Sequence, residues 1–240
     1  MNITSMGAIR GIATAATIAI ASVSGTAYAQ SSEGTFLDPN DTIFLMVDHQ
    51  TGLLQAVGDI EIRDLRANVT AMAEAAAYFD IPVIATSSVP TGPNGPLIPE
   101  IAAGAPDVTV IPRDGEINAW ENEAFKQAVE ESGRKTLVIS GVLTSVCVAF
   151  PALSALEEDY KVYAVIDASG DVNETSAMVT TERLAAAGVT VATTFAVLSE
   201  LHGTWTAENA PTMAGIYSNT SPGYGAVLES YYAPRETPSN

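Results

Sequence analysis

Six short runs of consecutive apolar residues constrain this chain more than any other feature. They are residues 42–48 (TIFLMVD), 81–86 (IPVIAT), 108–111 (VTVI), 136–140 (TLVIS), 162–167 (VYAVID) and 189–193 (VTVAT). None alternates cleanly between apolar and polar, as a strand with one wet face would. Continuous Val- and Ile-rich runs of this length are expected of strands covered on both faces, the situation of a parallel sheet.

Helical patterns fill the gaps. Residues 64–79 place Leu65, Val69, Met72 and Ala76 on one face, and 121–132 carry Phe125 and Val129 behind acids in the first turn. Residues 146–156 are apolar nearly all round, which suits a buried central helix. Residues 175–187 run into Gly188, a stop signal. The alternation predicts a three-layer α/β/α sandwich on a six-stranded parallel sheet with right-handed crossovers. Two stretches fall outside it. Residues 89–106 hold five prolines and three glycines and read as a long functional loop. Beyond His202 the pattern dissolves, so 206–240 reads as a tail, either mobile or an arm packed on a neighbouring subunit.

Residues 1–29 read as a secretory leader rather than as part of the fold. Arg10 is their one charge, an apolar stretch too short to span a bilayer follows, and Ala27-Tyr28-Ala29 is a small-x-small cleavage pattern. Cleavage after Ala29 would deliver the chain to the periplasm or outside the cell. It would leave 211 residues, with the main domain at 30–205, and nine basic against 28 acidic side chains. So acidic a surface repels nucleic acid and anionic membrane and suits a small neutral or cationic substrate.

One cysteine, Cys147, stands in the whole chain, so no internal disulfide framework exists. It lies where the fourth apolar run turns into helix. With strand order 3-2-1-4-5-6, the first and fourth strands are neighbours at the point where ligands bind in open parallel sheets. Asp48, ending the first run, would face Cys147, and Arg113, after the third, would arrive from the side. A helix N-terminus favours a thiolate, a carboxylate can shuttle its proton, and the Gly141–Thr144 turn can offer N–H groups to an oxyanion. On spacing alone, Cys147 reads equally as a small core residue, Asp48 as a turn cap and Arg113 as a surface charge.

The stretches VDHQTGLL, TGPNGPLIPE, INAWENEAF and SGVLTSVCVAFPALSALEE resemble the isochorismatase-like cysteine hydrolases, and within them the YcaC-like branch, over about residues 42–205. The resemblance implies a six-stranded parallel sheet of that order and a triad of Asp48, Arg113 and Cys147. Arg113 stands where much of the superfamily has lysine, and since arginine does not readily give up a proton its role must be electrostatic. A cis peptide maps to Val142–Leu143, aiming the Leu143 and Cys147 N–H groups at one point. Asn118 and Trp120 would line the pocket, although Trp120 also reads as a core aromatic. No Asp-x-His metal site is present in TSSVPTGPNG, so neither metal nor cofactor is expected. Retention of Cys147 implies acyl transfer on a small amide or related C–N bond through a thioester, in a homo-oligomer. Two other readings remain, an idle oligomeric scaffold and a redox-sensing thiol.

Overall fold

The computed structural model describes residues 36–233; the expected leader, residues 1–29, lies outside them. Six strands, β1 (Thr42–Val47), β2 (Val83–Ser88), β3 (Thr109–Arg113), β4 (Thr136–Gly141), β5 (Lys161–Val165) and β6 (Thr190–Ala192), form one parallel sheet in the order β3-β2-β1-β4-β5-β6. The predicted order is the observed one. The strand β1 explains why the apolar runs do not alternate. Phe44 and Met46 point into one apolar cluster, while Ile43, Leu45 and Val47 point into another on the opposite face. Both faces are dry, so every position from Ile43 to Val47 is apolar.

Helices α1 (Ile62–Tyr78), α2 (Pro99–Gly104), α3 (Glu123–Glu131), α4 (Ala149–Glu157), α5 (Glu174–Ala187) and α6 (Thr194–His202) complete the layers. Leu65, Val69 and Met72 of α1 and Val197 and Leu201 of α6 cover one face. Phe125 and Val129 of α3, Ala152 of α4 and Leu184 of α5 cover the other. Gly188 takes a φ of 103°, closing α5 as its left-handed cap.

Several boundaries differ from the sequence expectation. The proline-rich stretch is not wholly irregular: Pro99 opens α2, where its missing N–H is no loss, and Ile101 buries against the α1 face. The third strand runs on through Pro112 to Arg113, which an edge strand permits. The chain after His202 forms two further helices, α7 (Ala210–Thr220) and α8 (Pro222–Tyr232). Met213, Ile216 and Tyr217 of α7 pack with Ala71 and Ala75 of α1 and Leu198 of α6, so α7 adds an outer layer to its own domain. No residue of α8 is buried.

The helix expected to start at Val146 has a distinct beginning. Residues Thr144–Val148 form a π-helical turn, and α4 follows at Ala149. Pro151 contributes to this. It has no N–H to give the Cys147 carbonyl, so a regular α ladder cannot run through Cys147.

Candidate active site

Asp48 is the residue on which β1 stops. Its φ of 57° lies in the left-handed region, which Asp tolerates better than most side chains. Its N–H donates to the Thr86 carbonyl at 2.9 Å, and its Oδ1 accepts from the Ser88 N–H at 2.8 Å. The end of β2 therefore fixes both the backbone and one carboxylate oxygen.

The other oxygen, Oδ2, accepts from Arg113 Nη2. Arg113 ends β3 in register with Ser88 and reaches across β2 to the end of β1. Its Nε donates to Thr86 Oγ1 at 3.1 Å and its Nη1 to the Glu116 carbonyl. The side chains of Arg113 and Asp48 are 0% and 2% exposed. Breaking a buried pair of this kind by removing one member costs about 3–5 kcal/mol, because the charge left behind has no solvent.

Cys147 lies in the π-helical turn after β4, the strand paired with β1 on the side away from β2. Gly141 lets the two strand ends approach: a Cβ there would stand 2.4 Å from the Val47 carbonyl oxygen. The Cys147 thiol lies close enough to the Asp48 carboxylate and the Leu143 N–H for both to act on its ionisation. Cys147 alone of the three is partly exposed. Asp48, Arg113 and Cys147 thus come together as the strand order implied.

Two expectations about this turn need correction. Burial first, then the charge and hydrogen bond of Asp48, push the Cys147 thiol far above its ordinary range, against weaker opposing pulls from the Leu143 N–H and Arg113. The helix-start argument for a resting thiolate fails because the early amides are occupied: Ser145 N–H donates to Asp171 at 2.7 Å, and Cys147 N–H to the Leu143 carbonyl at 2.7 Å. For the same reason the Leu143 and Cys147 N–H groups do not converge. The Val142–Leu143 peptide bond is cis, and the Leu143 N–H favours the thiolate form of Cys147.

Asn118 and Trp120 are both fixed by hydrogen bonds. Asn118 accepts from the Trp120 N–H at 3.1 Å and donates to Ser154 Oγ at 3.0 Å, capping a short 3-10 turn. Trp120 is buried edge-on to Phe125 and Tyr160, its Nε1 donating to Glu158 at 3.1 Å. It is a core aromatic.

The sequence reading passed over two neighbours of Asp48. Gln50 donates to the Ser88 carbonyl at 3.1 Å and shares the Ser88 N–H at 3.0 Å, bracing the carboxylate from behind. His49 holds the Ala168 carbonyl at 2.9 Å, and burial lowers its pKa, so the ring is neutral. The signal was the polar pair directly after a run buried on both faces.

This fold, with a thiol, a carboxylate and a buried guanidinium meeting at the strand ends, defines a class that the comparisons identify. A model of the isochorismatase domain matches residues 42–195, and the chain belongs to the isochorismatase family. It is 49% identical to the probable hydrolase YcaC of Escherichia coli (strain K12) over 195 residues, 81% of this chain and 93% of that protein. The crystal structure of E. coli YcaC, described as an octameric hydrolase of unknown specificity, is similar with a TM-score of 0.78 at 48% identity, covering 82% of this chain and 97% of that one. YcaC from Pseudomonas aeruginosa, solved with hexane-2,5-diol and covalent acrylamide, gives 0.79 at 43% identity over the same shares.

Proposed function

We propose that this chain is a cysteine-dependent hydrolase of a small amide or related C–N bond. The observation that carries the reading is a partly exposed thiol close to a carboxylate that a buried arginine holds in place. Because the thiol is kept protonated at rest, proton transfer accompanies attack. The S–H proton passes to Asp48 as sulfur bonds to the carbonyl carbon. The Leu143 N–H, no longer needed by sulfur, turns to the new oxyanion. Asp48 gives its proton to the departing amine as the C–N bond breaks. It then takes a proton from the water that attacks the thioester, and returns it to the sulfur as the acid leaves. Arg113 keeps Asp48 oriented throughout and exchanges no proton.

The description of E. coli YcaC as a hydrolase supports the hydrolytic part, and the covalent acrylamide of the P. aeruginosa protein fits a reactive nucleophile in this fold. The raised thiol pKa weighs against a redox sensor, since oxidation follows thiolate character. Intact-mass analysis after incubation with a library of small amides tests the reading. An acyl adduct on the native chain, absent from Cys147→Ala, is expected; no adduct and no amine release would leave the idle scaffold.

Two further parts of the reading have their own tests. Exposed Val110, Ile117 and Val179, with the octameric description of E. coli YcaC, support a homo-oligomer, to be measured by light scattering. The leader pattern supports export, to be read as an N-terminus at Gln30 in the secreted product.

A further inference from the structure

A cleft of about 590 Å³ lies beyond the carboxyl ends of β4, β5 and β6, lined by Thr144, Ile166, Asp167 and Thr193 among others. Neither Asp48, Arg113 nor Cys147 lines it. Its wall carries four carboxylates, Asp59, Asp167, Glu174 and Glu182, and no lysine or arginine. None of the four forms an ion pair among the described residues. Two of them are fixed in direction. Asp59 Oδ1 accepts from the Asp171 N–H at 2.7 Å, and Asp167 Oδ1 from the Thr194 N–H at 2.6 Å and Oγ1 at 2.8 Å. Burial raises the pKa of both, as it does for carboxylates whose charge is incompletely matched.

A second observation is independent of charge. Thr144, 2% exposed, lines the same cleft, and its buried Oγ1 has no hydrogen-bond partner. Leaving a buried hydroxyl unmade is unfavourable by about 1–3 kcal/mol, and a ligand in the cleft would relieve it. The ligand's shape follows from the mixture of acids and apolar side chains in the lining. Among the described residues no three His, Cys, Asp or Glu side chains come close enough together to hold a metal ion. Separated carboxylates with Ile60, Ile166 and Met178 among them suit a chain of methylenes with cationic ends.

We propose that this cleft binds a short aliphatic diamine or polyamine. Its ammonium groups pair with the carboxylates, and its methylenes lie on the apolar side chains. This site stands apart from the hydrolase reading and does not depend on it. An occupant would rest against the turn that carries Cys147, because Thr144 belongs to that turn.

The chain's net charge of −18 attracts any cation, so the test must separate a site from an ionic atmosphere. Calorimetric titration of the full chain with 1,4-diaminobutane at fixed ionic strength is the measurement. Saturable binding is expected, about tenfold weaker in Glu174→Gln/Glu182→Gln and unchanged in Glu130→Gln/Glu131→Gln on α3, which removes the same charge elsewhere. One ammonium group fewer, in 1-aminobutane, should also weaken binding about tenfold, and 1,4-butanediol should not bind. Equal weakening by both variant pairs, or equal binding of monoamine and diamine, would reduce the effect to counterion accumulation and overturn the proposal. So would the absence of saturable binding, or a Glu174→Gln/Glu182→Gln chain that changes subunit assembly while binding the diamine as before.

Discussion

The surroundings of Cys147 decide where its proton rests. Burial and the Asp48 carboxylate keep it on sulfur, while Arg113 favours its release. Opposite signs follow for the two partners. Asp48→Asn removes the anion that opposes the thiolate and leaves the guanidinium, so the apparent thiol pKa should fall and acrylamide labelling at neutral pH should quicken. Turnover in the proposed reaction should nonetheless vanish, because no base remains to take the proton. Arg113→Met should raise the thiol pKa further and leave little activity, whereas Arg113→Lys should lose about tenfold to a hundredfold. The labelling rate against pH checks all three, with circular dichroism to verify folding, since unpairing the buried charge costs about 3–5 kcal/mol. Curves superimposable on the native one would separate both residues from Cys147. The three positions were legible in the sequence because each stands where an apolar run stops. The proton's place was not, because it depends on burial and on which first-turn amides are taken, and neither is written in the spacing. Asn118 before Ala-Trp-Glu and Asn122 before Glu-Ala-Phe carry cap signatures that spacing does show.

Among the elements, those with the weakest sequence signal are the ones whose packing is least periodic. The long apolar stripe of α1 announces itself. The helix α7 buries three side chains, Met213, Ile216 and Tyr217, within a stretch rich in Gly, Ser and Pro. The six-residue α2 is too short for any period to show. Yet α7 covers Ala71, Ala75 and Leu198, so it should stabilise the domain rather than trail from it. Met213→Ala should cost about 2–5 kcal/mol in urea denaturation. Tyr217→Phe, which gives up only the hydroxyl bond to Ser199 Oγ at 3.1 Å, should cost about 1 kcal/mol. A chain ending at Trp205 that unfolds at the native urea concentration would return α7 to the status of a free arm.

For the whole molecule, a parallel sheet could be read ahead of the structure because dry strands must be continuous apolar runs, while the strand order came with the family resemblance. The response to alkali is also a property of the whole. The Cys147 thiol ionises near 9 when exposed and much higher when folded, so the unfolded chain releases that proton first. Stability should therefore be intact below about pH 9 and decline above it. Tyr163, raised from 10 to about 12 chiefly by burial, adds a second decline that begins near 10 and runs to about 12. Cys147→Ser should remove the first decline and leave the second, as read from urea midpoints across that range. A single decline unchanged by the substitution would contradict the buried-thiol environment.

Arg113 is the last residue of β3, and β3 is the outermost strand of its half of the sheet, exposed over much of its length. The guanidinium that holds the Asp48 carboxylate is thus supplied by an edge strand that pairs with β2 alone. Edge strands open before cores do. On gentle heating, the chain should fall silent as a catalyst while its spectroscopic signature still reads as native, and should resume work on cooling. Its working temperature would then be limited by the loosening of one margin of the sheet, well before melting.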